Sequence, residues 1–249
     1  MSEIAGHRFA AGHAAENTAT AAMCAQRLAE FGLHWVECDV IETRQPTRES
    51  GLVLAHDDTL CRLTQEPAAP RISDLTLEEA LGFVILEDER LATPAQCVPY
   101  VSGMNKIWDV KGAFSDEGLL CLGDTLVQYE VQGESVISSF EHLNILAMQR
   151  LFPQFAGFVA AGEGEDPRKI VDIALTADAQ GITVHHSLLN VAYPLARNEG
   201  LRVITYTINS PKLMEQISND YPETVICTDH PGLFIGATAL SDRQVCSIY

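Results

Sequence analysis

Short apolar runs alternate with helical patterns along most of the chain. Eight of these runs have the length and the composition of buried strands, and most are followed by a stretch of helical periodicity. The predicted strands are an initial run that ends at Gly6-His7 and the runs 35–43, 107–110, 136–139, 155–160, 181–184, 201–207 and 224–228. This alternation predicts an α/β fold, a (β/α)8 TIM barrel.

The helical patterns between the strands cover about 18–31, 142–152, 169–179, 188–199 and 211–219. Gly32 is expected just after the C-terminus of the first helix, where a left-handed backbone conformation is common. Pro211 is well suited to a helix N-terminus, since the first helical position does not need its N–H group. These signals support the strand–helix order of a barrel.

One segment, about 44–103, interrupts the alternation. It contains a short strand pattern at 52–55, a polar run with prolines at 65–73, and two short helical patterns, the second opening at Thr93-Pro94. We interpret it as a small insertion after the second strand, because it is too short for a core of its own. The 249 residues suit one barrel, so residues 1–249 are predicted to form a single domain.

Composition limits the classes of partner. The chain is 47% apolar and 20% charged, which excludes a disordered protein. A net charge of −18 argues against nucleic acid and anionic membranes as partners. No apolar stretch is long enough to span a bilayer and no secretory signal is visible, so we expect a cytoplasmic protein without stable membrane insertion. An anionic substrate would therefore need a locally positive site.

Cysteine spacing gives no sign of a metal site or a disulfide framework. The seven cysteines are scattered, and none form a C-x-x-C motif. We expect most of them to be reduced, buried side chains.

Three carboxylates are candidates for a cation site. Glu37 and Asp39 lie two residues apart on a predicted strand, so their side chains point to the same face. At the C-terminal end of a barrel strand, that face looks into the active-site mouth. Asp109, in the W-D-V-K motif of the third strand, can complete the cluster. Oxygen ligands of this kind suit Mg²⁺ or Ca²⁺. The alternative is that these carboxylates are solvated side chains at strand ends and bind no metal.

Four basic side chains near these carboxylates match the needs of phosphodiester chemistry. Arg8 and Lys111 offer positive charge to a phosphate, although they could instead form structural ion pairs with the same carboxylates. His7 and His56 can give or take a proton near neutral pH, unless they are ordinary structural histidines. Cleavage of a phosphodiester requires one proton to be removed and another to be delivered.

Taken together, the motifs H-R…E-N-T, E-x-D, H-D-x-x-L-x-R-x-T, D-x-K and Y-T-I-N…T-D-x-P resemble the glycerophosphodiester phosphodiesterases. The resemblance runs from about residue 5 to 234. It implies a TIM barrel with a small insertion after strand two, and metal-dependent hydrolysis of glycerophosphodiesters to glycerol 3-phosphate and an alcohol. It implies one divalent cation, Mg²⁺ or Ca²⁺, with Mn²⁺ as a further option.

The resemblance also implies a role for each candidate residue. These roles are metal ligation by Glu37, Asp39 and Asp109, acid–base catalysis by His7 and His56, phosphate contact by Arg8 and Lys111, support near the metal by Glu16, and lining of the glycerol pocket by Tyr206. Nearby residues are expected to serve the fold instead. They are Asn17 and Thr18 as helix caps, Arg62 and Thr64 as anchors of the insertion, and Asp229 in a structural hydrogen bond.

The chain departs from the family pattern at three positions. Phe9 stands where Gly is usual, Ala15 stands where Pro is usual, and Asp109 stands where Glu is frequent. The first two are expected to reshape the loop over the site and hence to affect the choice of substrate. The third is expected to affect the geometry and the identity of the metal.

Two alternatives differ in function. A related phosphodiesterase acting on lysophospholipids would have an apolar pocket for an acyl chain, and Phe9 could belong to its wall. A catalytically silent barrel that binds phosphorylated ligands would lack a histidine or a ligand, whereas this chain keeps His7, His56 and three carboxylates. The head group, the oligomeric state, the identity of the base and the formation of a cyclic phosphate stay open at this point.

Overall fold

The computed structural model describes residues 2–129 and 133–235, and its centre is a closed barrel of eight parallel strands. Pairing of the first strand with both the second and the last closes the barrel, which confirms the predicted TIM barrel. The strands are β1 (Glu3–Gly6), β2 (Trp35–Thr47), β3 (Ser50–Leu54), β4 (Asn105–Val110), β5 (Ser135–Ser139), β6 (Ala156–Ala161), β7 (Gly181–His185), β8 (Arg202–Tyr206) and β9 (Val225–Thr228). Of these, β3 lies outside the barrel and pairs antiparallel with β2.

Helices surround the barrel. They are α1 (Ala19–Ala29), α2 (Cys61–Thr64), α3 (Leu77–Gly82), α4 (Pro94–Val101), α5 (Asp116–Tyr129), α6 (His142–Leu151), α7 (Pro167–Thr176), α8 (Leu189–Asn198) and α9 (Pro211–Asp220). Thr18 caps α1 by accepting a hydrogen bond from the Ala21 N–H group, as predicted. The sequence analysis did not identify α5, whose internal glycines weaken its helical pattern. Within the described residues, no helix is both long and apolar enough to cross a membrane.

The insertion after β2 is smaller than the predicted segment 44–103. β2 continues to Thr47 and forms a hairpin with β3, so the added residues begin later than predicted. At the other end, α4 packs against α1 and α5 in the ring of helices and therefore belongs to the barrel. The insertion has a small apolar cluster, but Ile41 of β2 is part of it, so the cluster is built on the barrel. That residues 1–249 form a single domain stays a prediction, because 1, 130–132 and 236–249 lie outside the described residues.

Alternation along the strands separates the barrel core from the site above it. Trp35 and Ile107 belong to an apolar cluster that also includes inward-facing residues of β1, β5, β6, β8 and β9. Side chains two residues further along a strand point to the same side, one layer higher. Glu37 and Asp109 therefore lie directly above this apolar layer, at the C-terminal end of the barrel.

Most of the described cysteines are reduced. Free thiols are present at Cys38, Cys61, Cys97, Cys121 and Cys227. These five cysteines agree with the expectation that most of the cysteines are reduced.

Candidate active site

Three carboxylates meet at the C-terminal ends of β2 and β4. The two strands are neighbours, and their register places Asp39 beside Asp109. Glu37 lies two residues before Asp39 on the same face. One oxygen from each carboxylate lies within 4.8 Å of the others. Glu37 and Asp39 are almost fully buried, with 5% and 1% of their surface exposed, so bulk water solvates their charges poorly.

Crowding of buried carboxylates changes their proton affinities. The pKa of Glu37 is raised to about 7, first by burial and then by the neighbouring charge of Asp39. Burial also acts to raise the pKa of Asp39, but Lys111 and Arg8 outweigh it and hold that pKa at about 2. The pKa of Asp109 is raised, chiefly by burial. The cluster thus has fewer local positive charges than its carboxylates require.

The three carboxylates fit a divalent cation. Asp109 Oδ2 lies 2.5 Å from Lys111 Nζ, whereas its buried Oδ1 has no hydrogen-bond partner among the described residues. A buried polar atom without a partner is unusual in folded proteins and is explained well by an ion. Carboxylate oxygens are the donors that Mg²⁺ and Ca²⁺ prefer.

Cation binding is expected to depend on pH through Glu37. Its raised pKa means that the metal-free protein holds a proton on Glu37 below about pH 7. A cation must displace that proton, so affinity should rise by up to about tenfold per pH unit as the pH approaches 7 and level off above it. Calorimetric titration with Mg²⁺ or Ca²⁺ in buffers of different ionisation enthalpy measures both the affinity and the protons released. Affinity that does not change below pH 7, with no proton release, would contradict this prediction.

Arg8 and Lys111 lie among the acidic side chains. Lys111 Nζ is 2.9 Å from Asp39 Oδ1, in addition to its contact with Asp109. Arg8 Nε is 3.4 Å from Asp39 Oδ2, and Arg8 Nη1 donates to Glu16 Oε2 at 2.8 Å. The ion pairs weighed in the sequence analysis are therefore present. Both cations also line the pocket, so contact with a phosphate stays a prediction.

His7 is oriented by a carboxylate from the other end of the chain. Its Nδ1 lies 2.7 Å from Asp229 Oδ1, and its Nε2 lies 3.8 Å from Glu37 Oε2. Asn209 in turn donates to Asp229 Oδ2 at 2.6 Å. Burial alone would lower the pKa of His7, but Glu37 and Asp229 together raise it. A proton on Nδ1 bonded to Asp229 leaves Nε2 directed at the site.

This arrangement gives Asp229 a more specific role than the structural hydrogen bond predicted from the sequence. His7 follows β1 and Asp229 follows β9, and these strands are neighbours because the barrel closes. The T-D-x-P motif at the end of the last predicted strand could have indicated this contact between Asp229 and His7. Closure of the predicted barrel would have placed that motif beside the first strand.

His56 reaches the pocket from the insertion. It follows β3, the strand outside the barrel, and lines the same pocket as the carboxylates. His56 Nδ1 lies 2.8 Å from Asp57 Oδ1, and its side chain is 38% exposed. The two histidines thus enter from different elements, and the side chain of His7, 14% exposed, is less open to solvent than that of His56.

The loop after β1 has an unusual backbone. Arg8 and Phe9 have positive φ angles of 50° and 68°. A Cβ atom on Gly6 would lie 1.9 Å from the carbonyl oxygen of Phe9, so only glycine allows this close turn. The turn directs the Arg8 N–H group to Glu37 Oε2 at 2.8 Å. The loop therefore positions both His7 and a candidate ligand.

Asn17 holds a candidate ligand and is not the helix cap predicted from the sequence. Its side-chain Nδ2 donates to Asp39 Oδ2 at 2.8 Å, while its Oδ1 accepts from the Asp39 N–H group at 3.1 Å. Asn17 has a φ of 57°, a left-handed conformation that asparagine tolerates better than most residues. Thr18, one residue later, forms the cap.

Phe9 is a core residue and does not line the pocket. Its side chain is fully buried in the main apolar cluster, so its suggested place in a wall for an acyl chain is wrong.

At position 9, the glycine variant should be more stable than the alanine variant, which is the reverse of the usual order. Phe9→Ala is expected to lower the free energy of unfolding by about 3–5 kcal/mol, because it leaves a cavity. Phe9→Gly removes the same contacts but relieves the positive φ, so it should be about 1 kcal/mol more stable than Phe9→Ala. Urea unfolding of the two variants measures the difference. An alanine variant that is the more stable of the two would show that the backbone at this position is not strained.

Glu16 lies one contact away from the carboxylate cluster. It bonds Arg8 on one side and Arg62 of the insertion on the other, and these partners lower its pKa although burial acts to raise it. Glu16 therefore contacts the cluster through Arg8, and its supporting role near a metal stays a prediction.

Part of the pocket wall is aromatic. The pocket has a volume of about 610 Å³ when the solvent-open space at its mouth is included, and Tyr206 and Phe140 meet edge to face there with ring centroids 6.5 Å apart. The Tyr206 hydroxyl donates to the carbonyl of Ala161 at 2.8 Å, which fixes the ring. Thr183 and Thr207 also line the pocket. Sequence reasoning missed Thr183 because an isolated threonine in a strand carries no motif, and it assigned no role to Thr207 within the Y-T-I-N motif.

Solved structures share this fold at low sequence identity. A phosphodiesterase from Oleispira antarctica, solved in complex with the product sn-glycerol-3-phosphate, has a TM-score of 0.81 and 22% identity over 96% of this chain and 98% of that one. A glycerophosphodiester phosphodiesterase from Thermotoga maritima has a TM-score of 0.71 and 21% identity over 95% and 98%. One from Parabacteroides distasonis has a TM-score of 0.74 and 19% identity over 96% and 98%.

Sequence comparison assigns the family. No curated protein sequence matches the chain. The model of the glycerophosphoryl diester phosphodiesterase family matches residues 7–233, which begin at His7 and include every candidate site residue. The chain therefore belongs to the glycerophosphoryl diester phosphodiesterase family, a family of phosphoric diester hydrolases.

Proposed function

We propose that this enzyme hydrolyses glycerophosphodiesters to glycerol 3-phosphate and an alcohol with the help of one divalent cation, Mg²⁺ or Ca²⁺. The observation that carries the proposal is the set of side chains that line one pocket. His7, His56, the three carboxylates and the cations Arg8 and Lys111 all line it. Groups of this kind can neutralise a phosphate and move protons on both sides of it.

Glu37, Asp39 and Asp109 would hold the cation. When bound, a divalent cation stabilises negative charge on phosphoryl oxygens. Arg8 and Lys111 would then exchange part of their carboxylate contacts for phosphate oxygens, which supplies the positive field that an anionic substrate needs in a protein of net charge −18. The low pKa of Asp39 keeps it ionised throughout the neutral range.

The two histidines divide the proton transfers. His7 presents Nε2 to the pocket while Asp229 holds Nδ1, so a proton is exchanged at Nε2. His56 presents its ring from the insertion, with Nδ1 held by Asp57. One histidine removes a proton from the attacking oxygen, and the other delivers a proton to the oxygen of the leaving alcohol. Tyr206 and Phe140 form the wall against which the glycerol or the alcohol packs.

A substrate panel tests the proposal. The enzyme is expected to release glycerol 3-phosphate from glycerophosphocholine and to act far less on lysophosphatidylcholine. Phe9, the residue considered for an acyl-chain wall, is buried in the core and leaves the pocket without that contribution. Products are identified by mass spectrometry for each substrate. A preference for lysophosphatidylcholine would favour the lysophospholipid alternative, and the absence of hydrolysis across the panel would contradict the proposed function.

A further inference from the structure

Arg62 connects two parts of the candidate site that are distant from each other in the sequence. It lies on α2, inside the insertion. Its Nη1 and Nη2 donate to the two oxygens of Glu16 at 2.8 and 2.7 Å, and its Nε donates to Asp57 Oδ2 at 2.6 Å. One guanidinium therefore binds one carboxylate with two parallel bonds and a second carboxylate with its remaining edge.

Each of these carboxylates uses another bond to hold a candidate site residue. Glu16 Oε2 also accepts from Arg8 Nη1 at 2.8 Å. Asp57 Oδ1 lies 2.8 Å from His56 Nδ1. The contacts form a continuous chain from Arg8 through Glu16, Arg62 and Asp57 to His56. At one end is the cation assigned to the phosphate, and at the other is a histidine assigned to proton transfer.

We propose that Arg62 is a positioning residue that holds Arg8 and His56 in a fixed relation to each other. This inference rests on the proposed function and goes beyond the anchoring of the insertion that the sequence analysis assigned to Arg62. The insertion would then contribute His56 itself and also the link that sets its distance from Arg8. Only arginine has the planar set of donors that can bind two carboxylates in this way, because a lysine ammonium is a single point of charge.

The solvent exposure of these groups helps to distinguish a positioning role of Arg62 from a role in fold stability. Side-chain exposures are 44% for Arg62, 34% for Asp57 and 13% for Glu16. The Arg62–Asp57 pair is open to water and contributes little to folding, whereas the bidentate pair with the more buried Glu16 contributes more. A residue that only anchors the insertion should therefore affect thermal stability and leave the kinetics of the folded enzyme unchanged. A positioning residue should affect kinetics far more than stability.

Arg62→Met is expected to lower kcat/KM for glycerophosphocholine by about 10–100-fold, as observed when residues that orient site groups are removed. Both kcat and KM should change, because loss of Arg8 alignment raises KM and loss of His56 alignment lowers kcat. Arg62→Lys should recover only part of the loss. Arg71→Met is the matched control, because Arg71 also lies in the insertion but binds Asp58 instead of a site carboxylate. It should leave kcat and KM unchanged.

A cycle of variants tests the route by which Arg62 acts. Glu16→Gln should reproduce mainly the KM change, and Asp57→Asn mainly the kcat change. In the Glu16→Gln/Asp57→Asn double variant, adding Arg62→Met should change kcat/KM less than twofold, since both of its connections are already broken. A further tenfold loss in that background would overturn the inference, as would unchanged kcat and KM in Arg62→Met alone.

A spectroscopic readout keeps this test separate from the proposed function. The ¹⁵N resonances of the His56 ring report the hydrogen bond at Nδ1 whether or not the substrate is turned over. Arg62→Met should shift them and Arg71→Met should not. Shifted resonances with no hydrolysis by the wild type would support positioning by Arg62 and contradict the proposed function. Unshifted resonances would overturn the inference even if the wild type is active.

Discussion

Replacement of either His7 or His56 by alanine is expected to lower turnover of glycerophosphocholine by about 10²–10⁴-fold, the usual contribution of a positioned acid or base. The two losses have different structural origins. At His7, the variant leaves Asp229 without the ring that it orients at 2.7 Å. At His56, it removes the only ring that the insertion, among its described residues, presents to the pocket. Both single variants should still bind a divalent cation, because neither residue is a candidate ligand.

The double variant distinguishes a shared proton relay from two independent effects. If the histidines act as one unit, the His7→Ala/His56→Ala variant should lose far less than the product of the two single losses. His34→Ala is a suitable control, since His34 is exposed at the start of β2, at the other end of the barrel. Single-turnover kinetics of the wild type and these four variants provides the comparison. Losses that multiply would argue against a relay, and wild-type rates in either single variant would remove that histidine from the mechanism.

Asp109→Ala is expected to weaken cation affinity by at least about tenfold, with a parallel loss of activity at low metal concentration. Asp109 Oδ1 is buried and has no hydrogen-bond partner among the described residues, whereas Oδ2 is bound to Lys111. One oxygen is therefore available to a cation. An aspartate reaches less far than the glutamate frequent in the family, by up to about 1.5 Å, so a bridging water or a larger ion can complete the site.

Asp109→Glu separates ligation from a general need for charge. It should keep activity and is expected to shift the relative potency of Mg²⁺ and Ca²⁺, because the longer side chain brings its oxygens closer to the ion. Asp124→Ala is the control, since Asp124 is a half-exposed surface carboxylate paired with Arg48. The measurement is the metal concentration that gives half-maximal activity for each protein. An unchanged midpoint and unchanged turnover in Asp109→Ala would exclude Asp109 from the site.

The parts of the site that follow strand periodicity could be predicted from the sequence. Glu37, Asp39 and Asp109 were identified because residues two apart share a face and because parallel strands end at the same edge. The contacts that orient them could not be obtained in this way. Asn17 binds Asp39 through a left-handed backbone conformation, and helix-capping rules favoured a different role for it.

The insertion shows a second limit. Its helical patterns were recognised, but periodicity gave no sign that α4 completes the ring of helices while α2 and α3 lie on the added segment. Arg62 was recognised as an anchor from its motif. Its simultaneous contact with Glu16 and Asp57 depends on the folded path of the loop after β3, which joins residues 46 positions apart. Long-range contacts of this kind depend on tertiary packing and leave no local pattern.

Removal and return of the metal is the most direct test of cation-dependent hydrolysis. The enzyme is treated with excess chelator, freed of it, and assayed for release of glycerol 3-phosphate from glycerophosphocholine, alone and with added Mg²⁺, Ca²⁺ or Mn²⁺. We expect release to stop in the metal-free protein and to return with at least one of these ions. Full activity of the treated enzyme before any ion is added, with elemental analysis showing that it holds no metal, would contradict a site in which Glu37, Asp39 and Asp109 act by binding a cation.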